Sequence, residues 1–301
     1  MKNTYKIYWR NHWLVFMTIL VNIVILGGCQ STGDKDIPSG NRIISLAPHI
    51  TEIIYALDAQ DQLIAVTDFC QYPEDAFLKE KIGGLLDPNI EKIITLKPTE
   101  LFGMPSHEKL AQELSKFGLN VTMLSNENVM DVRNSIITIG EMIGHSEQAN
   151  RVVMRMDSIL DSLQKNRSVL TIPGILMIGR EKGTLKNITV AGSDTYMDQI
   201  WKIVGGENSY ADLPTRYGTI NLESLLLRDH QVIIEFDMKR PRGVYRTELS
   251  AEWGFLKNLQ VVQKGNVFVI GGNHTLIPGP RLVLLAQDFG RIIEMVEESN
   301  K

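Results

Sequence analysis

Short apolar runs alternate along the chain with stretches whose apolar residues recur every three or four positions. From 42 to 124 the runs 42–46, 63–66, 101–103 and 121–124 read as strands, and 50–57, 89–96 and 107–117 as amphipathic helices. Asn89 caps the second of these helices, and Glu91 sits in its first turn, where the helix dipole favours negative charge. Strands that alternate with helices imply parallel pairing within an α/β layer fold. The helical pattern continues over 131–143, is interrupted at Gly144, and resumes over 146–166. In that last stretch Ala149, Val152, Val153, Met156, Ile159, Leu160 and Leu163 form one apolar stripe. A helix of this length spans about 30 Å at 1.5 Å per residue, enough to bridge two lobes.

Pro173-Gly174 opens a second α/β run. Strands are predicted over 174–178, 232–236 and 267–270, and helices over 194–204, 221–227, 250–259 and 281–298. Ser193 suits the cap of the first of these helices. The resulting fold class is α/β, with two Rossmann-like lobes of parallel sheets joined by a single long interdomain helix. One pattern occurs twice: Asn89-Ile90-Glu91 at a helix start is echoed by Asn221-Leu222-Glu223. Two lobes built alike place these glutamates at equivalent surface positions; a helix-start acid with no further role fits the echo equally well.

The amino terminus follows a different pattern. Lys2, Lys6 and Arg10 precede a 14-residue, largely apolar stretch from Trp13 to Leu26, then Leu26-Gly27-Gly28-Cys29. A basic start, a short apolar core and small residues before a cleavage point describe a secretory signal peptide, and the core is short for a bilayer span. Leu-Gly-Gly-Cys resembles the bacterial lipobox, which makes Cys29 the expected lipid attachment site. The polar stretch that follows suits a tether. The expected organisation is a signal peptide over 1–28, a lipidated tether over 29–41, an N-terminal lobe over 42–145, a linking helix over 146–168 and a C-terminal lobe over 169–301. Loss of the signal removes three basic residues and no acid, so the mature chain is more negative than the formal −4 of the whole. An acidic, exported chain argues against nucleic acid as a partner. Of the two cysteines only Cys70 then remains besides Cys29, so no internal disulfide is expected in the lobes, and Cys70 is expected to be buried.

Arg42-Ile43-Ile44-Ser45-Leu46-Ala47-Pro48-His49, Asp68-Phe69-Cys70-Gln71-Tyr72-Pro73, Gly83-Gly84, and Asn89 to Leu96 with Lys97-Pro98 stand in order in the first half. Val190-Ala191-Gly192, Gly205-Gly206-Glu207-Asn208, Asn221-Leu222-Glu223 and Pro280-Arg281-Leu282 follow in the second. The ordered series resembles the cobalamin/iron-chelate class of ABC-transporter substrate-binding proteins, and within it the corrinoid-binding branch. The resemblance implies two lobes on one stiff helix, a metal chelate held between them, and delivery by a monomer to an ABC permease. It also implies that one surface glutamate on each lobe docks onto the permease, here Glu91 and Glu223.

The cleft positions that follow are Phe69, Leu85 or Leu86, Met104, Tyr217 and the Asn273-His274 loop. This lining is less aromatic than the corrinoid pattern, because Trp201 and Trp253 are the only tryptophans after the signal, and Trp201 fits a helix core. A basic run, Lys239, Arg240, Arg242 and Arg246 with Tyr245, follows a predicted strand, where open α/β sheets place ligands. Arg242 and Arg246 are candidates for an anionic siderophore, haem propionates or the corrinoid nucleotide loop; a solvated basic loop fits the same run. His274 is a candidate axial ligand, and His49 and His274 fall in predicted cleft loops that could approach one another. No HxH, HxxxH or His-rich tract supports a bare-metal site, and no resident cofactor is implied. An exported chelate-modifying enzyme finds little support, since G-x-S-x-G, HExxH and phosphate-cradling loops are absent. A capture lipoprotein without a permease stays open.

Overall fold

The computed structural model describes residues 40–167, 170–247 and 251–300. The expected signal peptide, Cys29 and most of the tether lie outside the described residues. No described helix is long and apolar enough to cross a membrane.

Five strands form the first sheet: β1 (Ile43–Ser45), β2 (Leu63–Val66), β3 (Glu80–Lys81), β4 (Glu100–Gly103) and β5 (Val121–Met123). Their order is β3-β2-β1-β4-β5, and every pairing is parallel. Helices Pro48–Ala56, Glu74–Phe77, Ile90–Thr95 and Glu108–Ser115 supply the crossovers, and Val129–Met142 follows β5. Asn89 caps its helix as predicted, accepting from the Lys92 amide at 2.9 Å. Asn221 does the same for the Ser224 amide at 2.8 Å.

The second sheet holds β6 (Ile172–Gly179), β7 (Ile188–Ala191), β8 (Gly206–Asn208), β9 (Tyr217–Ile220), β10 (Val232–Asp237), β11 (Gly243–Arg246) and β12 (Val267–Gly271). Its main order is β11-β12-β10-β6-β7-β9, with β8 pairing β6. The centre is parallel, as expected, but β7 and β11 run antiparallel to their neighbours β6 and β12. The 180–187 connection explains the first case. It closes as a tight turn, with the Glu181 amide donating to the Lys186 carbonyl at 3.0 Å, and is too short for a parallel crossover. Two local expectations also change. Thr195, not Ser193, caps helix Tyr196–Ile203, accepting from the Asp198 amide at 3.1 Å. The helix predicted over 250–259 is a single turn, Ala251–Gly254, followed by a second turn at Gln260–Gln263.

Helix Ser146–Lys165 buries Ala149, Met156 and Leu160 from the predicted stripe. The core it packs into is continuous from Ile43 and Ile136 of the first lobe to Leu176, Trp201 and Phe289 of the second. Trp201 is fully buried edge-on to Phe289, with ring centroids 5.3 Å apart. Gly206 lies under that ring, where a Cβ would come within 2.0 Å of it, so only glycine fits.

A polar contact ties the lobes at a second place. Glu52, on helix Pro48–Ala56, receives a two-pronged bond from Arg281, just before the final helix Leu282–Ser299. The Nε arm measures 2.8 Å, and the side chains are 3% and 14% exposed. Nη1 of Arg281 donates to Asn273 Oδ1 at 2.8 Å, and its guanidinium lies 3.7 Å from the Tyr72 ring centroid. Burial raises the Glu52 carboxyl pKa above its ordinary value, an effect that the Arg281 bonds oppose. A buried carboxylate left alone is costly, whereas an apolar pair of similar size is not. Arg281→Leu is therefore expected to cost about 3–5 kcal/mol in urea unfolding. Glu52→Leu/Arg281→Leu should recover most of that loss; equal losses in the single and double variants would contradict a buried-charge origin.

Candidate functional site

The carboxyl ends of β2, β3 and β4 carry the first group of predicted residues. Phe69 and Leu86 are exposed there, and Met104 is half-buried. A backbone and histidine network joins their loops. The Asp68 amide donates to the Gly83 carbonyl at 2.9 Å. The Met104 amide donates to His107 Nδ1 at 3.1 Å, so the proton sits on Nε2, which donates to the Leu85 carbonyl at 2.7 Å. Phe69, Leu86 and Met104 are thus gathered at one end of the first sheet, where open α/β sheets place ligands.

Tyr217 lies on the second lobe, at the start of β9. It lines a cavity of about 350 Å³ at the seam, together with Asn126 and Glu127 from the first lobe and Ile178, Tyr196 and Leu276 from the second. Burial, with the Glu127 charge beside it, pushes the Tyr217 hydroxyl up to about 12 and that of Tyr196 well above its ordinary value. Both phenols therefore keep their protons. The Tyr196 hydroxyl donates to the Thr275 carbonyl at 3.0 Å. Asn126, Glu127 and Tyr196 escaped the sequence reading; the available signal was a polar loop at the carboxyl end of β5.

Arg242, Arg246 and His274 have other partners. His274 is 2% exposed, with Nε2 3.0 Å from the fully buried Asp288. Arg242 approaches the same carboxylate at 3.9 Å and Arg291 at 3.5 Å. Arg246 lies over the Phe268 ring and donates to Ser299 Oγ at 3.1 Å, near the end of the final helix. Arg240 stacks on Tyr245, and both line a cavity of about 770 Å³ with Arg180, Lys182, Glu235 and Thr247. Met177 also lines it and shares the sheet face of Trp253, whose Nε1 donates to Glu235 at 3.1 Å. Arg246 lines that cavity as well, and neither that cavity nor the seam cavity is lined by Phe69, Leu86 or Met104. His274 is bonded to Asp288, and the charge that acts on His49 is that of His107. No described group of three or more His, Cys, Asp or Glu side chains is arranged to hold a metal ion.

Cys70 is fully buried, accepting from Thr51 Oγ1 at 3.1 Å, and burial raises its thiol pKa. Glu91 and Glu223 are exposed, one on each lobe, each one turn-position behind a capping asparagine. Neither forms an ion pair with a described residue.

Residues 43–273 match the periplasmic binding protein family, and the chain belongs to it. Among curated relatives, the vitamin B12-binding protein of Vibrio vulnificus (strain YJ016) is 24% identical over 259 residues, covering 85% of this chain and 91% of the relative. YvrC of Bacillus subtilis (strain 168), an ABC transporter substrate-binding lipoprotein, is 26% identical over 247 residues, covering 80% and 76%. Two solved structures share the fold. The periplasmic vitamin B12-binding protein BtuF of Vibrio cholerae superposes with a TM-score of 0.71 at 22% identity, covering 86% of this chain and 98% of that one. The periplasmic haem-binding protein HutB of the same organism gives 0.72 at 23% identity, covering 85% and 98%. The two-lobed fold is thus that of a periplasmic binding protein, and it is shared by structures named for vitamin B12 and for haem.

One buried group gives the site a pH signature. His49 is 3% exposed, and burial lowers its pKa from 6.5 to about 4, with His107 adding to the shift. Above pH 6.5 the ring is neutral whether the chain is folded or unfolded. Between pH 6.5 and 4 only the unfolded chain takes up the proton, so folding weakens as pH falls. The loss should reach about 3 kcal/mol at pH 4 from this residue. Urea titrations of wild type and His49→Gln from pH 7 to 4 should converge; parallel curves would remove His49 as the cause.

Proposed function

We propose that this chain captures a metal chelate, a corrinoid in preference to haem or a ferric siderophore, at the seam between its lobes and delivers it to an ABC importer. It performs no bond chemistry. The observation that carries this reading is the placement of loop residues from both sheets around one seam, in a member of a binding-protein family. Small-molecule sites favour such junctions. The names of the B12-binding relatives support the corrinoid preference.

The wet, exposed chemistry of the remaining surface fits delivery. Glu91 and Glu223 project from equivalent capped helices, one per lobe, with no ion-pair partner among the described residues. Each suits an arginine of a permease, since a bidentate pair gives direction as well as attraction. Lipidation at Cys29 keeps the body within reach of that permease, as the lipoprotein YvrC also suggests.

Calorimetric titration of the purified chain with cyanocobalamin, haem and ferric siderophores tests the ligand assignment: a saturable exotherm or endotherm with cyanocobalamin supports it, and silence with all three overturns it. For delivery, Glu91→Arg/Glu223→Arg should abolish uptake in whole cells and leave the calorimetric affinity unchanged; normal uptake would sink the docking role. Cys29→Ala should move the protein from the membrane to the soluble fraction, and continued sedimentation with membranes would argue against the lipid.

A further inference from the structure

The loop that carries Glu127 is held from both sides. Ser125 Oγ and the Glu127 amide donate to Asp131 Oδ2, at 2.6 and 3.1 Å. Asn128 caps the following helix through the Asp131 amide at 2.9 Å. Across the seam, the Tyr196 amide donates to the Glu127 carbonyl at 2.8 Å, and the Val129 amide donates to Gln199 Oε1 at 2.9 Å. A half-buried carboxylate on so fixed a backbone keeps its place when a ligand arrives.

The cavity lining carries charge of one sign. The described lining of the seam cavity contains Glu127 and no lysine, arginine or histidine. Arg216 lies outside the lining but close enough for its charge to act on both Glu127 and Tyr217, and its guanidinium is bonded to Asp194 at 2.8 Å. Arg281 is consumed by Glu52 and Asn273, Arg242 faces Asp288, and Arg246 is bonded to the final helix. An anionic group entering the seam thus meets like charge, with the arginines that would receive it turned to other partners. A group that offers N–H or O–H meets a carboxylate and an amide that accept.

We infer that Glu127 is a specificity-determining residue of the seam: it admits chelates whose rim presents hydrogen-bond donors, such as the carboxamides of a corrinoid, and rejects chelates with anionic rims, such as the propionates of haem. Discrimination then comes from a repulsive element against the wrong ligand as much as from attraction to the right one. The inference rests on the chelate-binding role proposed above and assigns its selectivity to one side chain. Tyr217, still protonated near neutral pH, adds a second donor-acceptor group beside it without adding charge.

A matched pair of ligands tests this: cyanocobalamin and its monocarboxylate, in which one peripheral carboxamide is hydrolysed. Titration of the wild-type chain, which needs no variant to fold, should show at least tenfold tighter binding of the amide form. Glu127→Gln, neutral and of the same shape, should shrink that ratio to threefold or less, and Glu127→Lys should favour the carboxylate. An unchanged ratio in Glu127→Gln, or equal binding of both ligands by the wild type, overturns the role of Glu127 and leaves chelate binding standing. A wild-type chain that binds neither of these ligands, nor haem, nor a ferric siderophore overturns the chelate reading itself.

Discussion

The buried pair of Glu52 and Arg281 lies 229 positions apart in sequence and joins the two lobes. Its geometry is exacting: two donors of one guanidinium face two oxygens of one carboxylate, a third donor is fixed by Asn273, and the flat face is covered by Tyr72. Such a pair contributes little net stability against an apolar substitute, but it tolerates few relative positions of the elements that bear it. Together with the continuous core under helix Ser146–Lys165, it sets where the carboxyl ends of the two sheets meet. The seam cavity and the loops that carry Phe69 and Met104 take their positions from that constraint.

The same constraint shapes the electrostatics of the site. Arg281 stands beside the seam and spends its charge on Glu52. Asp288, fully buried on the final helix, gathers His274, Arg242 and Arg291 in the same way. Of the basic run, Arg242 faces Asp288 and Arg246 reaches the final helix, while Arg240 and Arg246 also line the cavity of about 770 Å³ on the second lobe. What remains at the seam is a carboxylate, an amide, two protonated phenols and apolar side chains, a surface suited to a large, mostly uncharged ligand. The fully buried Trp201 and Trp253 serve the cores, and neither lines the seam cavity.

Much of the fold was legible because it depends on local pattern. The apolar runs at Ile43-Ile44 and Val232-Ile233-Ile234 became central strands, and Asn89 and Asn221 cap the helices they precede. The tight turn at 180–187 carries no periodic signal, so the antiparallel β7 was missed. At 250–259 the apolar residues suggested one helix, but it ends at Gly254, with Trp253 anchored to Glu235. Phe69, Leu86, Met104 and Tyr217 were named by likeness to a family; the first three lie in loops at strand ends of the first sheet, and Tyr217 lines the seam cavity. Glu52 and Arg281 could not be paired from sequence: periodicity reports which face is buried, not what meets it. An acid on an otherwise apolar helix carries no mark of a partner 229 residues away. The partners of Arg246 and His274 were hidden for the same reason, since a residue's place in a loop does not reveal where its side chain ends.

A body pinned by one stiff helix and one buried ion pair should bind its ligand with little change in shape, the usual behaviour of preorganised partners. Small-angle X-ray scattering of the purified chain, with and without saturating cyanocobalamin, reads this directly. Superimposable profiles from the free and loaded wild type are expected, with the free Arg281→Leu chain more extended than either. A clear contraction of the wild type on loading would contradict the account and show that the lobes close on the ligand like a hinge.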